Sequence, residues 1–548
     1  MIQKTLGLYQ ADVDSLLADI KHKRIPSRIW QQDYTVWKND PKEITNRLGW
    51  LNIAENMTGE ISRIQNLVNE VRSSGYTQAL LLGMGGSSLA PDLFRKTFGV
   101  KEGFLDLGVL DSTSPEAVMA YDQSLDYAKT LFIVSTKSGG TVETLSFFKY
   151  FYTRAIEILG RDQAGDHFIA ITDPSLEPDK VRYSKLEQIA RDHHFRDTFL
   201  NDPNIGGRFS VLSFFGLVPA ALLGIDLDKL LDKAIQIAAQ DELAIQLGAI
   251  LGALAKAEPA KRDKVTFVFA EAIASFGDWV EQLIAESTGK EGKGILPVVR
   301  EPLGSPEVYG SDRLFVHIHL GEDDTDTAKL QALEEAGHPI LRIQLDNLYD
   351  LGGQFFLWEL ATAVAGYKLH INPFDQPNVE SAKKIARDKV EEFKKGGFLP
   401  TAETALFNHA VLHEFLGQCK PGDYIALQAY LPPTPENESA LQALRLKLRD
   451  RYKLATTLGF GPRFLHSTGQ LHKGDSGNGL FIQFISDPIE DADIPEEAGN
   501  PESSITFGTL IAAQALGDGQ ALLNEGRRFI RFQLGRDIIS NLTKLSQG

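Results

Sequence analysis

The chain has 548 residues, 43% of them hydrophobic and 24% charged, with a formal net charge of -17. That length exceeds one ordinary domain, and the composition is that of a folded soluble protein. The acidic balance, with no long basic run, excludes a nucleic-acid or anionic-membrane surface but leaves room for a small anion in a local pocket of amides and cations.

Residues 1–50 read as a polar helical segment, with tryptophans at Trp30, Trp37 and Trp50 placed to wrap a body. The opening MIQKTLGLYQADVDSLL has no basic stretch followed by an apolar core, so no signal peptide is expected. The single cysteine, Cys419, excludes an intramolecular disulfide and a cysteine-built metal site, which fits a cytoplasmic protein.

Over 51–238 the runs QALLLGMGG, DLGVLDS, TLFIVST and HFIAITD each end in glycine, serine, threonine or aspartate, and helical stretches follow. Strand, polar turn and helix in repetition predict a doubly wound parallel sheet, with ligands at the carboxyl ends of its strands. The longest apolar stretch, VLSFFGLVPAALLGI, is interrupted by Ser213, Gly216 and Pro219. It falls short of the roughly 20 residues of a spanning helix and predicts a buried one. The pattern returns over 239–398 in KVTFVFAE, GILPVV, RLFVHIHL and HPILRIQL, a second α/β lobe with no close sequence repeat of the first. Over 399–548, DYIALQAYLPPTPE, ALQALRLKLRDRYKLATTL, GLFIQFIS and RRFIRFQLG predict a third α/β unit. Its acidic, proline-rich SDPIEDADIPEEAGNPESS is expected to be a solvated, mobile loop.

Five stretches carry chemistry. In LLLGMGGSSLAP, glycines including Gly86 let backbone amides approach a ligand, and Ser87 adds a hydroxyl. A tight strand-to-helix turn would use the same residues, and neither GK[ST] nor GxGxxG is present. In STKSGGTVET, Thr136, Ser138, Thr141 and Thr144 crowd hydroxyls around Lys137 at a helix start. A helix cap needs only one hydroxyl, so the excess predicts a phosphate cradle. In NIGGRFSVLS, Arg208 opens into a buried helix and suits a phosphate or a developing oxyanion. WVEQLIAESTGK places Glu286 at a helix C-terminus, where the dipole raises a carboxyl pKa toward that of a general base; a solvated glutamate would read the same way. NPFDQPNVESAKK is a turn into a helix, with Gln376 and Lys383 at the junction or simply a capping turn.

Together these stretches resemble the glucose-6-phosphate isomerase family, in its order and spacing, over about residues 50–390. The resemblance implies two sugar-isomerase (SIS) type doubly wound parallel-sheet lobes plus a C-terminal α/β extension. It implies an aldose–ketose isomerase, usually a homodimer, acting on a sugar phosphate with no metal or organic cofactor. Carried over to these positions, Glu286 is the base moving a proton between C2 and C1, and Arg208 stabilises the cis-enediolate. Thr136, Lys137, Ser138, Thr141 and Thr144 hold the phosphate. Gly86, Ser87, Gln282 and Gln376 bind the sugar, and Lys383 is associated with ring opening. Alternatives are an additional mannose 6-phosphate activity, or a non-catalytic sugar-phosphate sensor, which would need neither Glu286 nor Arg208.

Three departures stand out. Phe355, in GGQFFLW, replaces the ring-opening histidine. Asn378 stands where glycine is usual. The chain also runs well past Lys383. That tail resembles the isomerase half of bifunctional transaldolase/glucose-6-phosphate isomerases. A transaldolase barrel of about 250 residues has no room here, so the chain reads as a free-standing isomerase or a piece of a fusion. In GPRFLHSTGQLHKG, His466 or His472 is the expected replacement ring-opener, though a plain surface loop would read equally well, with His338 and His370 as further candidates. His193, His194, His317 and His319 read as structural.

Overall fold

The computed structural model describes residues 2–546 except 176–181, 259, 324 and 400–402. The chain opens with an edge strand, β1 (Ile2–Thr5), where helix was expected; it pairs antiparallel with Ile340–Leu345, far along the sequence. The helices that follow do wrap the body. Trp37 Nε1 donates to the Ala363 carbonyl at 2.8 Å and Trp30 Nε1 to Asp241 Oδ2 at 2.7 Å. The Trp50 ring lies 5.2 Å from Phe209 and 5.9 Å from Phe356.

The first lobe runs β2 (Gln78–Gly83), α1 (Leu89–Phe98), β3 (Asp106–Leu110), β4 (Thr130–Ser135), α2 (Val142–Leu159), β5 (Phe168–Thr172), β6 (Asp197–Leu200) and α3 (Phe214–Leu222). Its strands are all parallel in the order β3-β2-β4-β5-β6. Every residue of β4 is buried, as expected of a strand covered on both faces. The strand order reverses between β2 and β4, so the loops leaving their carboxyl ends flank the switch-point crevice that favours ligands in such sheets. All of α3 is buried, and no single described helix is long and apolar enough to cross a membrane.

The second lobe runs β7 (Lys264–Phe269), α4 (Phe276–Thr288), β8 (Leu296–Val298), β9 (Arg313–Leu320), β10 (Ile340–Leu345) and α5 (Asp350–Leu369), followed by α6 (Glu380–Gly396). Its sheet order is β8-β7-β9-β10, with β1 added at the edge. The C-terminal unit runs β11 (Tyr424–Tyr430), β12 (Ala455–Phe460), α7 (Gly469–Gly474), β13 (Gly479–Ile485), β14 (Asp493–Pro495), β15 (Ser503–Thr506), α8 (Phe507–Asn524) and β16 (Arg528–Gln533). Its parallel order, β12-β11-β13-β16, starts from the same reversal, so three sheets share one winding.

The acidic 486–504 stretch is not a free loop. It forms the β14–β15 hairpin and docks on the first lobe. Ala492 and Ile494 join the core beneath α2, and Gly499 N donates to Thr153 Oγ1 at 2.9 Å.

Candidate active site

The site forms where loops from both lobes and the C-terminal unit meet. After β2 the backbone turns through Gly85, at φ +53, into the Gly85–Ser87 turn that buries Ser87. A Cβ on Gly86 would lie 2.0 Å from the Gly207 carbonyl oxygen, so this loop touches the Arg208 loop backbone to backbone. Only glycine fits that approach.

After β4 comes the hydroxyl-rich loop. Thr136 and Thr141 hydroxyls lie 2.9 Å apart, and Ser138 Oγ accepts from Gly140 N at 3.2 Å. Thr141 is the N-cap of α2 but makes no side-chain cap bond, and the buried Thr144 hydroxyl has no partner. Uncapped helix amides beside a spare buried donor suit an anion. Lys137 departs from its expected role: its ammonium pairs with Asp173 and donates to the Pro203 carbonyl at 3.2 Å. Burial pushes the Asp173 carboxyl up to about 6 against the pull of Lys137. The lysine braces the loop from beside the cradle.

Arg208 is buried and saturated. Nε donates to Ser287 Oγ at 2.7 Å, Nη1 to Gln376 Oε1 at 2.9 Å, and Nη2 to the Pro373 and Asp375 carbonyls at 2.6 and 3.1 Å. Its Nη1 also lies 3.5 Å from Glu286 Oε1. Burial lowers the guanidinium pKa, and Glu286 is the strongest opposing charge. Glu286 sits in the last turn of α4, one turn from Gln282, whose Nε2 donates to Glu286 Oε2 at 3.3 Å and to the His466 carbonyl at 2.7 Å. Lys290, passed over in the sequence, is buried alongside, and its ammonium donates to Asp375 Oδ1 at 2.7 Å. Burial, then Arg208, pull its pKa down to about 8. Lys383 stands apart from this cluster, half-exposed on α6 and paired with Glu380 at 3.0 Å.

The two tail histidines separate. His466 ends a tight turn after β12, with Nε2 3.2 Å from Glu143 Oε1 at the start of α2. A Cβ on Gly85 would lie 3.0 Å from its Cβ, which puts His466 between the glycine loop, the cradle and α4. Burial opposes ionisation of Glu143, but His466, the Glu143 backbone N–H and the Lys383 charge together hold the carboxyl below its usual range. Gln514 on α8 donates to the same Glu143 oxygen at 2.7 Å and accepts from Thr113 Oγ1 at 2.7 Å. His472 does not reach the site. It is buried in the C-terminal unit against Phe481 and Phe464, its Nδ1 faces Gln428, and burial pulls its pKa well below the usual value. His338 packs on Phe315 beside Arg262, and His370 caps α5.

The departures have physical accounts. Phe355 fills an aromatic cluster with Phe94, Phe276 and Trp279, where no imidazole would be solvated. Asn378 holds the tail: its backbone N donates to Gln470 Oε1 at 2.8 Å, and its Oδ1 accepts from Gln470 Nε2 at 2.7 Å. Arg463 reaches Asp92 at 3.2 Å, Asp111 at 3.2 Å and Asp278 at 3.3 Å, and so ties the His466 loop to both lobes.

Two such lobes thus bring a hydroxyl-rich, uncapped helix start at a switch point and a buried carboxylate–guanidinium pair into one site. Residues 51–296 match the family model described as phosphoglucose isomerase. The probable glucose-6-phosphate isomerase of Methanococcus maripaludis is 28% identical over 391 residues, covering 63% of this chain and 85% of the relative. The glucose-6-phosphate isomerase of Rubrobacter xylanophilus is 29% identical over 371 residues, covering 58% and 84%. A crystal structure of a glucose-6-phosphate isomerase from Chlamydia trachomatis shares the fold, with a TM-score of 0.56 and 19% identity over 74% of this chain and 89% of that one.

Proposed function

We propose that the protein interconverts glucose 6-phosphate and fructose 6-phosphate by proton transfer through a cis-enediol. The observation that carries this reading is the pairing of Glu286 with the buried Arg208, 3.5 Å apart, beside an uncapped helix start rich in hydroxyls. The phosphate is anchored by the amides and hydroxyls of Thr136, Ser138, Thr141 and Thr144. Binding energy at that non-reacting end positions C1 and C2 for the chemistry. Glu286 takes the proton from one carbon and returns it to the other, and Arg208 faces the charge that develops on the enediolate oxygens. Gln282 and Gln376 orient the base and the guanidinium. His466 opens the ring. Glu143 engages its Nε2, which leaves Nδ1 to exchange a proton with the sugar. Lys383, on the helix beside Glu143, contributes its charge rather than a contact. A cytoplasmic homodimer completes this reading, and sedimentation of the purified protein tests the dimer.

Supplying fructose 6-phosphate and following glucose 6-phosphate through a coupled dehydrogenase tests the activity. Wild-type protein should turn over. Glu286→Gln should lose about 10³-fold in kcat while still binding sugar phosphate by calorimetry. Full activity of Glu286→Gln would refute the assignment of the base.

A further inference from the structure

Lys290 is a buried cation to which the proposed mechanism gives no task. It follows the C-terminus of α4 and is 1% exposed. Its ammonium donates to the Asp375 carbonyl oxygen and, at 2.7 Å, to Asp375 Oδ1. The same carbonyl accepts from Arg208 Nη2 at 3.1 Å, so one oxygen joins the two cations. Three of the four hydrogen bonds of Arg208 end on residues 373–376, and Ser287 takes the fourth. Phe374 anchors that turn among Trp37, Trp50 and Phe209. Asp375, the next residue, is 30% exposed at its side chain, and among the described residues Lys290 alone pairs with its carboxylate. A buried ammonium is costly unless it is paired and hydrogen-bonded. Both bonds of this one go to the residue that carries an Arg208 acceptor.

We propose that Lys290 is a positioning residue for Arg208: by clamping Asp375 it fixes the carbonyl and the adjoining Gln376 that aim the guanidinium at the charge developing on the substrate. The isomerase reading supplies the identity of the ligand; the clamp itself rests on the geometry. Hydrogen bonds from an ionised donor are roughly twice as strong as neutral ones, so the clamp is complete only while the lysine is charged. Burial and then Arg208 hold the Lys290 pKa down at about 8, against the pull of Asp375 and Glu286. Arg47 adds positive charge near Arg208. Glu291, on the same turn as Lys290, pairs with Lys38 and Lys293, and α7 faces the turn with the uncharged Gln470, Leu471 and Gly474. The clamp is therefore complete below about pH 8 and lost as pH rises through that value, so an anion facing Arg208 should bind more weakly in alkali. Glu281 on α4 also titrates near 8, raised by burial and Asp278, and substitution separates the two groups.

Two ligands that differ at one carbon distinguish this role from a merely structural one. Arabinonate 5-phosphate carries a carboxylate where the enediolate would develop; arabinitol 5-phosphate carries a hydroxymethyl group there. Their affinities for the full-length protein are measured by calorimetry over a pH series through about 8. Wild type should favour the arabinonate and lose that preference as pH passes about 8. Lys290→Gln should bind the arabinonate about tenfold more weakly at neutral pH, without the pH dependence. It should bind the arabinitol as wild type does, which shows the fold and the phosphate cradle intact. Asp375→Asn keeps the carbonyl and removes the carboxylate that favours the charged lysine, so its loss of preference should begin at a lower pH than in wild type. Equal weakening of both ligands by Lys290→Gln overturns the proposal, as does an unmoved onset in Asp375→Asn. A pH-dependent loss that persists in Lys290→Gln belongs to Glu281 and overturns it too. Turnover of fructose 6-phosphate is assayed separately: a wild type that binds as expected but does not turn over refutes the isomerase reading and leaves the clamp standing.

Discussion

The candidate site has two halves held in different ways. The body half centres on Arg208, whose donors are matched by Ser287, Gln376, Pro373 and Asp375, all within the two lobes. The tail half is a docked loop. His466 is fixed from outside by Glu143 on its ring, by Arg463 among three aspartates, and by Gln470 on Asn378. The first half is preorganised by saturation of buried donors; the second depends on the C-terminal unit staying seated. The contrast shows that an imidazole can be brought to the crevice from a distant segment, while position 355 is given over to an aromatic core.

Breaking the body half should cost most. On the proposed mechanism Arg208→Met removes the cation facing the enediolate and leaves Glu286 only its Gln282 contact, and kcat with fructose 6-phosphate should fall by about 10³-fold. Breaking the tail half should cost less and selectively. His466→Ala should slow cyclic substrate by about 10²-fold and leave an open-chain analogue nearly unaffected. His472→Gln, from the same loop, should leave the ratio of the two rates unchanged. The reverse outcome would exchange the roles of the two histidines.

That pair also marks the limit of what the sequence discloses. Two histidines in one glycine-punctuated loop are equivalent by local pattern; only packing puts one at the crevice and the other among Tyr424, Phe464 and Phe481. The hydroxyl-rich helix start was legible because its signal is local: a strand apolar on both faces followed by more hydroxyls than a cap requires. Arg208 was legible from its glycines and the buried helix behind it. The partnership of Glu143 with His466 spans 323 residues and leaves no periodic trace. The same holds for β1, whose partner lies in another lobe, and for Lys137, whose turn toward Asp173 depends on a loop after β5. Lys290 lay in plain view next to Glu286 and gave no sign that it would be buried.

Smaller effects sharpen the comparison at the supports of the tail half. Gln514 orients Glu143 without approaching the sugar. Gln514→Leu should lower the rate on cyclic substrate by about tenfold and spare the open-chain analogue. Loss of its N–H also leaves the Glu143 carboxylate less stabilised, so its pKa rises and activity on the acid side should fall off at a higher pH than in wild type. An unshifted acid limb would mean that Gln514 serves only packing.

Asn378→Gly should have the smallest effect. It removes the acceptor of Gln470 Nε2 but keeps the backbone bond to Gln470 Oε1. One neutral hydrogen bond is worth about 1 kcal/mol, a factor of about five in the opening equilibrium of the loop. Amide hydrogen exchange over 461–474 should accelerate by about that factor. Turnover of the open-chain analogue, which needs only the body half, should stay at the wild-type rate. Equal exchange in mutant and wild type would place the docking energy on Arg463 instead, whose three carboxylate partners would then carry the tail half alone.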